Sequence, residues 1–404
     1  TVIFIINILT LNPRFYKLDG TTYCLFPNSH RLLKQPQLLL YSMNKHFLAH
    51  LEQIESSIKN FLPLEANSEW KKFSFGNENI DSKHIFPLIE TTRSLVDLGG
   101  KRWRPLLLVL CARACAKDKE KSQEAAYLLA PLVEFVHTAS LIHDDIEDSS
   151  PVRRGKPAAY ITYGIDTAIN AGSWLYFEAP LCIEKLNCSI ELKNRLYSNY
   201  LMELRRLHLG QAMDIAWHRD NTKVPSVQEY LKMVKGKTGT LASLAAKTGT
   251  LASNADEETV KKAGIIASEI GAGFQIIDDV INLTTGNPGK KRGDDIVEGK
   301  KSLPVLTFFE QNKKNPQKTQ ELSQCFIQAS KEGIESPAVE KAITLMEQNS
   351  SIEIAKKKGI ELIFNGGNSF IKLFGKDNED AILIKELFIS MIPKELMGAE
   401  NKDA

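Results

Sequence analysis

The sequence lacks a clear excess of charge of either sign, and it lacks paired cysteine motifs. Its 404 residues include 51 Lys and Arg against 49 Asp and Glu, a formal net charge of +2. That balance argues against a general nucleic-acid-binding protein. The six cysteines form no CxxC pair, and we interpret them as buried, reduced thiols. A reducing compartment suits such thiols, so a cytoplasmic location is predicted.

Near its N-terminus the chain also lacks an apolar run long enough to span a bilayer. The segment "TVIFIINILTL" at residues 1–11 is too short, and no charged region precedes it as in a signal peptide. The first methionine is Met43. We interpret residues 1–42 as a disordered extension outside the fold. Two alternatives stay open: upstream sequence foreign to a working chain that starts at Met43, or a targeting segment, which would imply an organelle.

Strand patterns are scarce, whereas helical patterns are frequent. In "NKHFLAHLEQIESSIKNFL" apolar residues recur at three- and four-residue spacing, which indicates an amphipathic helix. "RPLLLVLCARACA" and "EAAYLLAPLVEFVHTASLIHDD" are apolar almost all round, as in buried helices. No clear linker interrupts the pattern. We therefore predict one all-α domain over residues 43–392 and a polar, frayed tail over residues 393–404.

The stretch "HDDIEDSSPVRRG" from His143 to Gly155 concentrates carboxylates at the end of one buried helix. On a helix, Asp144 and Asp148 share a stripe with His137, and Asp145 lies beside them. Packed carboxylates repel each other unless cations compensate them. Oxygen ligands of this kind suit Mg²⁺, which prefers one or two carboxylates together with substrate phosphates. A lone cluster is more often a solvated helix end.

A second acidic cluster favours a metal site over a solvated helix end. In "GAGFQIIDDVIN" the residues Asp278, Asp279 and Asn282 repeat the spacing after another apolar helix. Two such helices facing each other would form a pocket in which several Mg²⁺ ions clamp a diphosphate. Basic residues suited to phosphate contact occur near other helix ends. They are Lys101, Arg102, Arg104, Arg153, Arg154, Lys237, Lys290 and Lys300. Together these features predict a site for metal-bound anionic heads on apolar tails.

The motifs "GGKRWRP", "EFVHTASLIHDDIEDSSPVRRGKPA", "GQAMD", "KTGTL", "GAGFQIIDDVIN" and "GKKRGDDIVEGKKSLP" occur in this order. This combination resembles the trans-isoprenyl diphosphate synthases, the polyprenyl synthetase family, over about residues 90–310. The resemblance implies a bundle of long helices around a deep apolar cavity, usually in a homodimer. It also implies a Mg²⁺-dependent enzyme that condenses isopentenyl diphosphate with an allylic diphosphate to a trans-polyprenyl diphosphate.

The same resemblance implies a role for each site residue. Mg²⁺, as three ions with substrate bound, would be held by Asp144, Asp148 and Asp278, with Asp145 and Asp279 in support. The residues at the allylic diphosphate would be Arg153, Lys237, Thr238, Gln275 and Lys300. Those at isopentenyl diphosphate would be Lys101, Arg104, His137 and Arg154. Lys290 would close over the site, and the released diphosphate would act as the base.

Three positions depart from the family pattern. Asn282 and Ser173 stand where Asp is usual, and Tyr160 stands where His is usual. They leave open a slow enzyme, or a weakly active or non-catalytic subunit of a heteromeric synthase. A class I terpene cyclase is a further alternative, but it binds no second diphosphate and would leave the isopentenyl diphosphate set unexplained.

Product length is predicted from the helix that precedes Asp144. One isoprene unit is about one helical turn long, on the order of 5 Å. One turn back lie Ala139 and Ser140, both small, where family members that stop at fifteen carbons often carry aromatic residues. The tail should pass them, so we predict a product of twenty carbons or more. Phe135, one turn deeper, is either the floor of the cavity or a residue of the core.

Overall fold

The computed structural model describes the backbone of residues 14–18, 21–25 and 33–34, together with residues 45–220, 224–286 and 291–397. Helices make up almost all of its regular structure, so the predicted all-α fold is confirmed. The helices are α1 (Lys45–Phe61), α2 (Ser68–Phe75), α3 (Ser82–Val96), α4 (Trp103–Cys115), α5 (Lys119–Leu128), α6 (Ala130–Glu147), α7 (Ala159–Tyr163), α8 (Ile165–Glu178), α9 (Ile190–His218), α10 (Val227–Val234), α11 (Thr240–Ala252), α12 (Glu257–Leu283), α13 (Asp294–Glu298), α14 (Leu303–Gln311), α15 (Pro316–Glu332), α16 (Pro337–Gln348), α17 (Ser351–Phe374) and α18 (Glu379–Ser390). A 3₁₀ helix (Ala179–Lys185) follows α8, and a π-helix (Lys235–Gly239) joins α10 to α11.

Local sequence signals set where the long helices begin. The Ser189 side chain accepts a hydrogen bond from the Leu192 amide at the start of α9, and Asp256 does the same for Thr259 at the start of α12. Such N-caps satisfy amide groups that have no partner inside the helix. Both helices can therefore start at fixed residues and run for 29 and 27 residues.

The core consists of two main apolar clusters. The larger one surrounds α4, α6 and α11, and the second lies between the end of α12 and helices α14 to α16. Helix α11 packs so closely on α4 that a Cβ atom at Gly249 would lie 2.2 Å from the Leu108 carbonyl oxygen. Only glycine allows that approach. Helix α12 packs along α11 and α17, which fixes the second acidic cluster within the bundle.

The strands among the described residues are short. Within residues 1–42, β1 (Arg14–Leu18), β2 (Thr21–Leu25) and β3 (Leu33–Lys34) form an antiparallel sheet in the order β1-β2-β3. The sequence reasoning expected no regular structure there and overlooked Asp-Gly between β1 and β2, a typical hairpin turn sequence. The origin of the extension stays a prediction. A hairpin of β4 (Val152–Arg153) and β5 (Lys156–Pro157) follows α6.

The predicted tail begins inside the folded part of the chain. Pro393 lines the central cleft, and Leu396 and Met397 pack against the main apolar cluster. Their apolar side chains explain the difference from the expected frayed tail. Residues 398–404 lie outside the described residues.

One stretch of the described residues is long and apolar enough to cross a membrane. It is Lys119–Glu147, comprising α5 and α6, and 67% of its most apolar window is buried inside the protein. A core helix of a globular fold has this property. The prediction of no transmembrane span is not contradicted.

Candidate active site

The C-terminal end of α6 and the C-terminal part of α12 face one cleft with a volume of about 730 Å³. The structure thus brings the two acidic clusters and most of the predicted basic residues to one cavity. The predicted residues that line it are Lys101, Arg104, His137, Ser140, Asp144, Asp148, Arg153, Arg154, Lys237, Thr238, Gln275, Asp278, Asp279, Asn282 and Lys300. Lys290 lies outside the described residues.

The first acidic cluster is bridged to the neighbouring helix by a lysine. Lys237 Nζ lies 3.0 Å from Asp144 Oδ1 and 2.6 Å from Asp214 Oδ2. Burial opposes ionisation of Asp144, but Lys237, Lys300 and Arg153 outweigh it and hold the pKa of this carboxyl below its usual value. Burial likewise opposes the charge on Lys237, and the two carboxylates outweigh it and raise its pKa. The pKa directions of Asp144 and Lys237 thus both favour the ionised pair.

The backbone around Lys237 explains this placement. The π-helix Lys235–Gly239 interrupts the regular helix, and such insertions are frequent at functional sites. At Gly210 on α9 a Cβ atom would lie 2.2 Å from the Lys237 amide nitrogen. The two backbones therefore touch, and the lysine side chain enters between α6 and α9. The sequence contained this signal in "GQAMD", which holds both Gly210 and Asp214.

Asp145 faces into the protein and holds an arginine. It is only 1% exposed and accepts a hydrogen bond of 2.8 Å from Arg153 Nε. A terminal nitrogen of Arg153 also lies 3.6 Å from Asp144. Asp145 does not line the cleft. Its role in the structure is to orient Arg153 towards the first cluster.

Asp148 ends the acidic stripe and faces a lysine from the other side of the cleft. Lys300 Nζ lies 3.6 Å from Asp148, 3.4 Å from Asp295 and 2.5 Å from Glu298. Burial raises the pKa of Asp148, and Lys300 opposes that effect without reversing it. Lys300 therefore serves as the shared cation of three carboxylates.

The two aspartates of the second cluster differ in their hydrogen-bond partners. Asp279 accepts hydrogen bonds from Tyr230 Oη at 2.6 Å and from Gln275 Nε2 at 2.9 Å, and Thr238 donates to Gln275 at 2.8 Å. No such donor occupies Asp278 among the described residues. Burial raises the pKa of both carboxyls to about 6, against Lys101 and Arg104 at Asp278 and against the hydrogen bonds from Tyr230 and Gln275 at Asp279. Asp278 is thus the more open of the two to a ligand.

Four basic or imidazole groups line the same cleft as Asp278. Arg104 lies 3.4 Å from His137 Nε2, and Lys101 and Arg154 complete the group. Burial lowers the pKa of Arg104 to about 10, against the opposing carboxylate of Glu134. Burial and the adjacent Arg104 push the pKa of His137 well below its usual range. The site therefore offers cationic groups and a neutral imidazole to an anion.

Arg102, one of the basic residues that the sequence predicts to be suited to phosphate contact, is not among the residues that line the cleft. Its guanidinium is buried, pairs with Glu134 and Glu55 at 2.6 Å each, and donates to the Val96 carbonyl at 2.7 Å. Its backbone adopts a left-handed conformation with φ of 47°. Arg102 thereby anchors the turn that presents Lys101 to the cleft.

This site and fold were compared with known proteins. The polyprenyl synthetase family model matches residues 87–345. A geranylgeranyl pyrophosphate synthase of Neocamarosporium betae is 34% identical over 70% of this chain and 80% of its own length. An all-trans-nonaprenyl-diphosphate synthase (geranyl-diphosphate specific) of Rhodobacter capsulatus is 31% identical over 71% and 83%. A geranylgeranyl pyrophosphate synthetase structure from Pyrococcus horikoshii aligns with a TM-score of 0.71 and 26% identity, covering 88% of this chain and 99% of that one.

The chain belongs to the polyprenyl synthetase family. The predicted resemblance and the predicted transfer of prenyl groups are thereby confirmed. Three residues of this synthetase depart from the family pattern, and the structure shows what each of them contacts.

Ser173 and Tyr160 lie beside the first cluster and not in it. Ser173 Oγ is 3.2 Å from His143 Nε2, and His143 Nδ1 lies 2.9 Å from the Ala139 carbonyl oxygen. Tyr160 packs at the edge of a small apolar cluster that includes Ile142. Neither departure removes a charge from the carboxylates of α6 that line the cleft.

The predicted chain-length residues separate in the structure. Ser140 lines the cleft, whereas Phe135 and Ala139 are 0% exposed and belong to the main apolar cluster. The structure thus favours the alternative in which Phe135 is a core residue. The aromatic rings of Tyr176 and His208, to which the sequence motifs assign no role, also line the cleft, and their centroids lie 5.3 Å apart.

Proposed function

We propose that this synthetase condenses isopentenyl diphosphate with an allylic diphosphate to give a trans-polyprenyl diphosphate of twenty carbons or more. The observation that carries the proposal is one cleft lined by two acidic clusters and two sets of basic residues. Two diphosphate substrates need two sets of basic residues to bind them. The names of the relatives, geranylgeranyl and nonaprenyl synthases, support this product range.

The donor set fits Mg²⁺. Asp144, Asp148 and Asp278 present oxygen ligands to the cleft, and hard cations prefer such ligands. Among the described residues no three His, Cys, Asp or Glu side chains form a complete metal site. Mg²⁺ is usually held by one or two carboxylates together with substrate phosphates, which matches separate aspartates around a diphosphate. When bound, the metal supplies positive charge that stabilises the departing diphosphate.

The allylic substrate would lie on the α6 side of the cleft. Arg153, Lys237 and Lys300 converge on the first cluster and are positioned to contact diphosphate oxygens. The carbon–oxygen bond breaks and its electron pair leaves with the diphosphate. These fixed cations stabilise the negative charge that develops on the departing diphosphate. Electrostatic stabilisation of a charge that develops in the transition state is usually the largest contribution to catalysis.

Isopentenyl diphosphate would be held by Lys101, Arg104, His137 and Arg154. Its π electrons form the new carbon–carbon bond with the allylic cation, and the released diphosphate accepts the proton that is then lost. The neutral His137 donates a hydrogen bond without adding a charge that must be compensated. Holding both substrates in one cleft converts a bimolecular step into an oriented one.

The same features argue against the alternative functions. A class I terpene cyclase has one diphosphate to bind, so the basic set around Arg104 would have no ligand. A non-catalytic subunit would be expected to lose acids from the first cluster, and Asp144, Asp145 and Asp148 are all present. An assay of the reaction products distinguishes both alternatives from the proposed synthase.

The homodimer is part of the proposal. Exposed apolar side chains line the outer faces of α8 and α9, and the Tyr200 hydroxyl donates to the Tyr176 carbonyl, so the two helices adjoin. Phe177 is 77% exposed, Leu209 64% and Leu201 57%. A patch of this kind fits a second copy of the chain. Light scattering should give twice the chain mass, and Phe177→Glu with Leu201→Glu should give monomer.

The test of function is a direct assay. The purified chain starting at Met43 is incubated with Mg²⁺, isopentenyl diphosphate and dimethylallyl, geranyl or farnesyl diphosphate, and the products are sized. We expect prenyl diphosphates of twenty carbons or more, and loss of turnover in excess chelator. Product formation without isopentenyl diphosphate would indicate a cyclase. No turnover with any primer would support the non-catalytic subunit. The predicted cytoplasmic location needs a separate localisation experiment.

A further inference from the structure

Asn282, which stands where aspartate is usual, lines the cleft, and its hydrogen bonds hold the segment that follows α12. It is 4% exposed at the end of α12. Its side-chain oxygen accepts a hydrogen bond of 3.2 Å from the Asp295 amide, and its carbonyl accepts one of 2.8 Å from the Gly293 amide. Since a backbone amide can only donate, the amide oxygen of Asn282 must face Asp295.

The segment that Asn282 holds continues directly to an active-site lysine. The Lys300 amide donates to the Asp295 carbonyl at 2.8 Å, and Lys300 Nζ lies 3.4 Å from the Asp295 carboxylate. The same Nζ reaches Asp148 at 3.6 Å. Hydrogen bonds and ion pairs therefore connect Asn282 with the first acidic cluster on the opposite wall of the cleft.

We propose that Asn282 is a positioning residue that fixes the segment 293–300 and thereby places Lys300 against Asp148, and that it does not act as a metal ligand. An aspartate would accept the same hydrogen bond, but it would add a further buried carboxylate near Asp295 and the second acidic cluster. The amide gives the same anchor without that repulsion. The kinetic part of this inference rests on the proposed function.

Two variants separate positioning from metal binding. Asn282→Ala removes the acceptor, and we expect a rise of about five- to tenfold in KM for the allylic substrate, the effect of losing one hydrogen bond. The Mg²⁺ concentration for half-maximal rate should stay within about twofold, because the other ligands are unchanged. Asn282→Asp retains an acceptor and should restore the KM.

A second readout needs no turnover. Hydrogen exchange of the metal-free protein should be faster in residues 293–300 of Asn282→Ala and as slow as wild type in Asn282→Asp. Asn312 provides a matched control, since its buried amide bonds Phe308 and Asn349 outside the cleft. Asn312→Ala should leave exchange in residues 293–300 unchanged. If Asn282→Ala fails to fold, Asn282→Ser serves in both measurements, because its hydroxyl is too short to reach Asp295.

Two outcomes would overturn the inference. One is unchanged exchange in residues 293–300 of the acceptor-deficient variant. The other is a raised Mg²⁺ requirement in Asn282→Ala with an unchanged allylic KM, which would make position 282 part of the metal shell. Failure of the wild type to turn over any substrate would instead reject the proposed function, and the exchange result would still decide this inference.

Discussion

Lys237 and Asp144 are 93 residues apart in sequence, yet their charged atoms lie 3.0 Å from each other. Asp214 holds the same lysine from the opposite side at 2.6 Å. The first acidic cluster is therefore compensated by cations from other segments of the chain before any metal binds. Simple repulsion among its carboxylates does not describe it.

The two cleft-lining aspartates of the first cluster, Asp144 and Asp148, should differ in their effect on the stability of the protein although both are required for turnover. Asn at either position should lower kcat by about 100-fold or more. The substitution removes a carboxylate that would hold Mg²⁺ at the departing diphosphate. The pKa of Asp144 is lowered on folding, so its charge stabilises the fold above the unfolded pKa and Asp144→Asn should lower Tm at pH 7. The pKa of Asp148 is raised, so Asp148→Asn should raise Tm. Thermal melts without metal check the signs, and equal shifts would contradict them.

The two basic sets should affect different substrates. Arg104→Ala should raise the KM for isopentenyl diphosphate by about tenfold or more, since a charged hydrogen-bond donor is lost from a buried site. Arg153→Ala should act mainly on the KM for the allylic substrate. Steady-state kinetics with one substrate varied at a time measures both. An equal effect of both variants on both substrates would mean that the cleft has no separate binding sites.

Product length should depend on Ser140 more than on its buried neighbours. Ser140→Phe places a ring in the cleft and should shorten the product. Phe135→Ala should leave product length unchanged and cost about 3–5 kcal/mol of stability, because the ring lies in the core. Ala139→Phe should destabilise the protein by overpacking, by about 1–3 kcal/mol. Product sizing combined with denaturant unfolding distinguishes these effects, and longer products from Phe135→Ala would show that the ring faces the cavity.

The pH dependence of stability should report Glu178, a buried carboxyl that is not among the residues lining the cleft. Burial raises the pKa of Glu178 to about 7, against the hydrogen bond that Ser74 donates at 2.7 Å. The folded pKa exceeds the unfolded one, so the protein loses stability as pH rises from 4.5 to 7 and stays lower above 7. At pH 8 the cost is about 3 kcal/mol. Glu178→Gln should therefore stabilise the protein more at pH 8 than at pH 5. Unfolding curves at both values test this, and a pH-independent difference would refute it.

The sequence by itself determined the helices, the two acidic clusters and their family. Those features depend on spacing within one helix, and spacing is a local property: the stripe of His137, Asp144 and Asp148 follows from 3.6 residues per turn. Predicted phosphate-contacting residues such as Arg153 and Lys237 do reach the same cleft.

Only the tertiary structure decided which side chains turn towards the cleft and which group compensates which charge. Ser140 and Ala139 are adjacent and both small, but only Ser140 lines the cleft, because α6 is packed on its other sides. Asp145 turns inward to Arg153, and Asn282 turns to Asp295. Helical periodicity fixes which residues share a face, whereas the neighbour that covers that face comes from distant sequence and is set by packing.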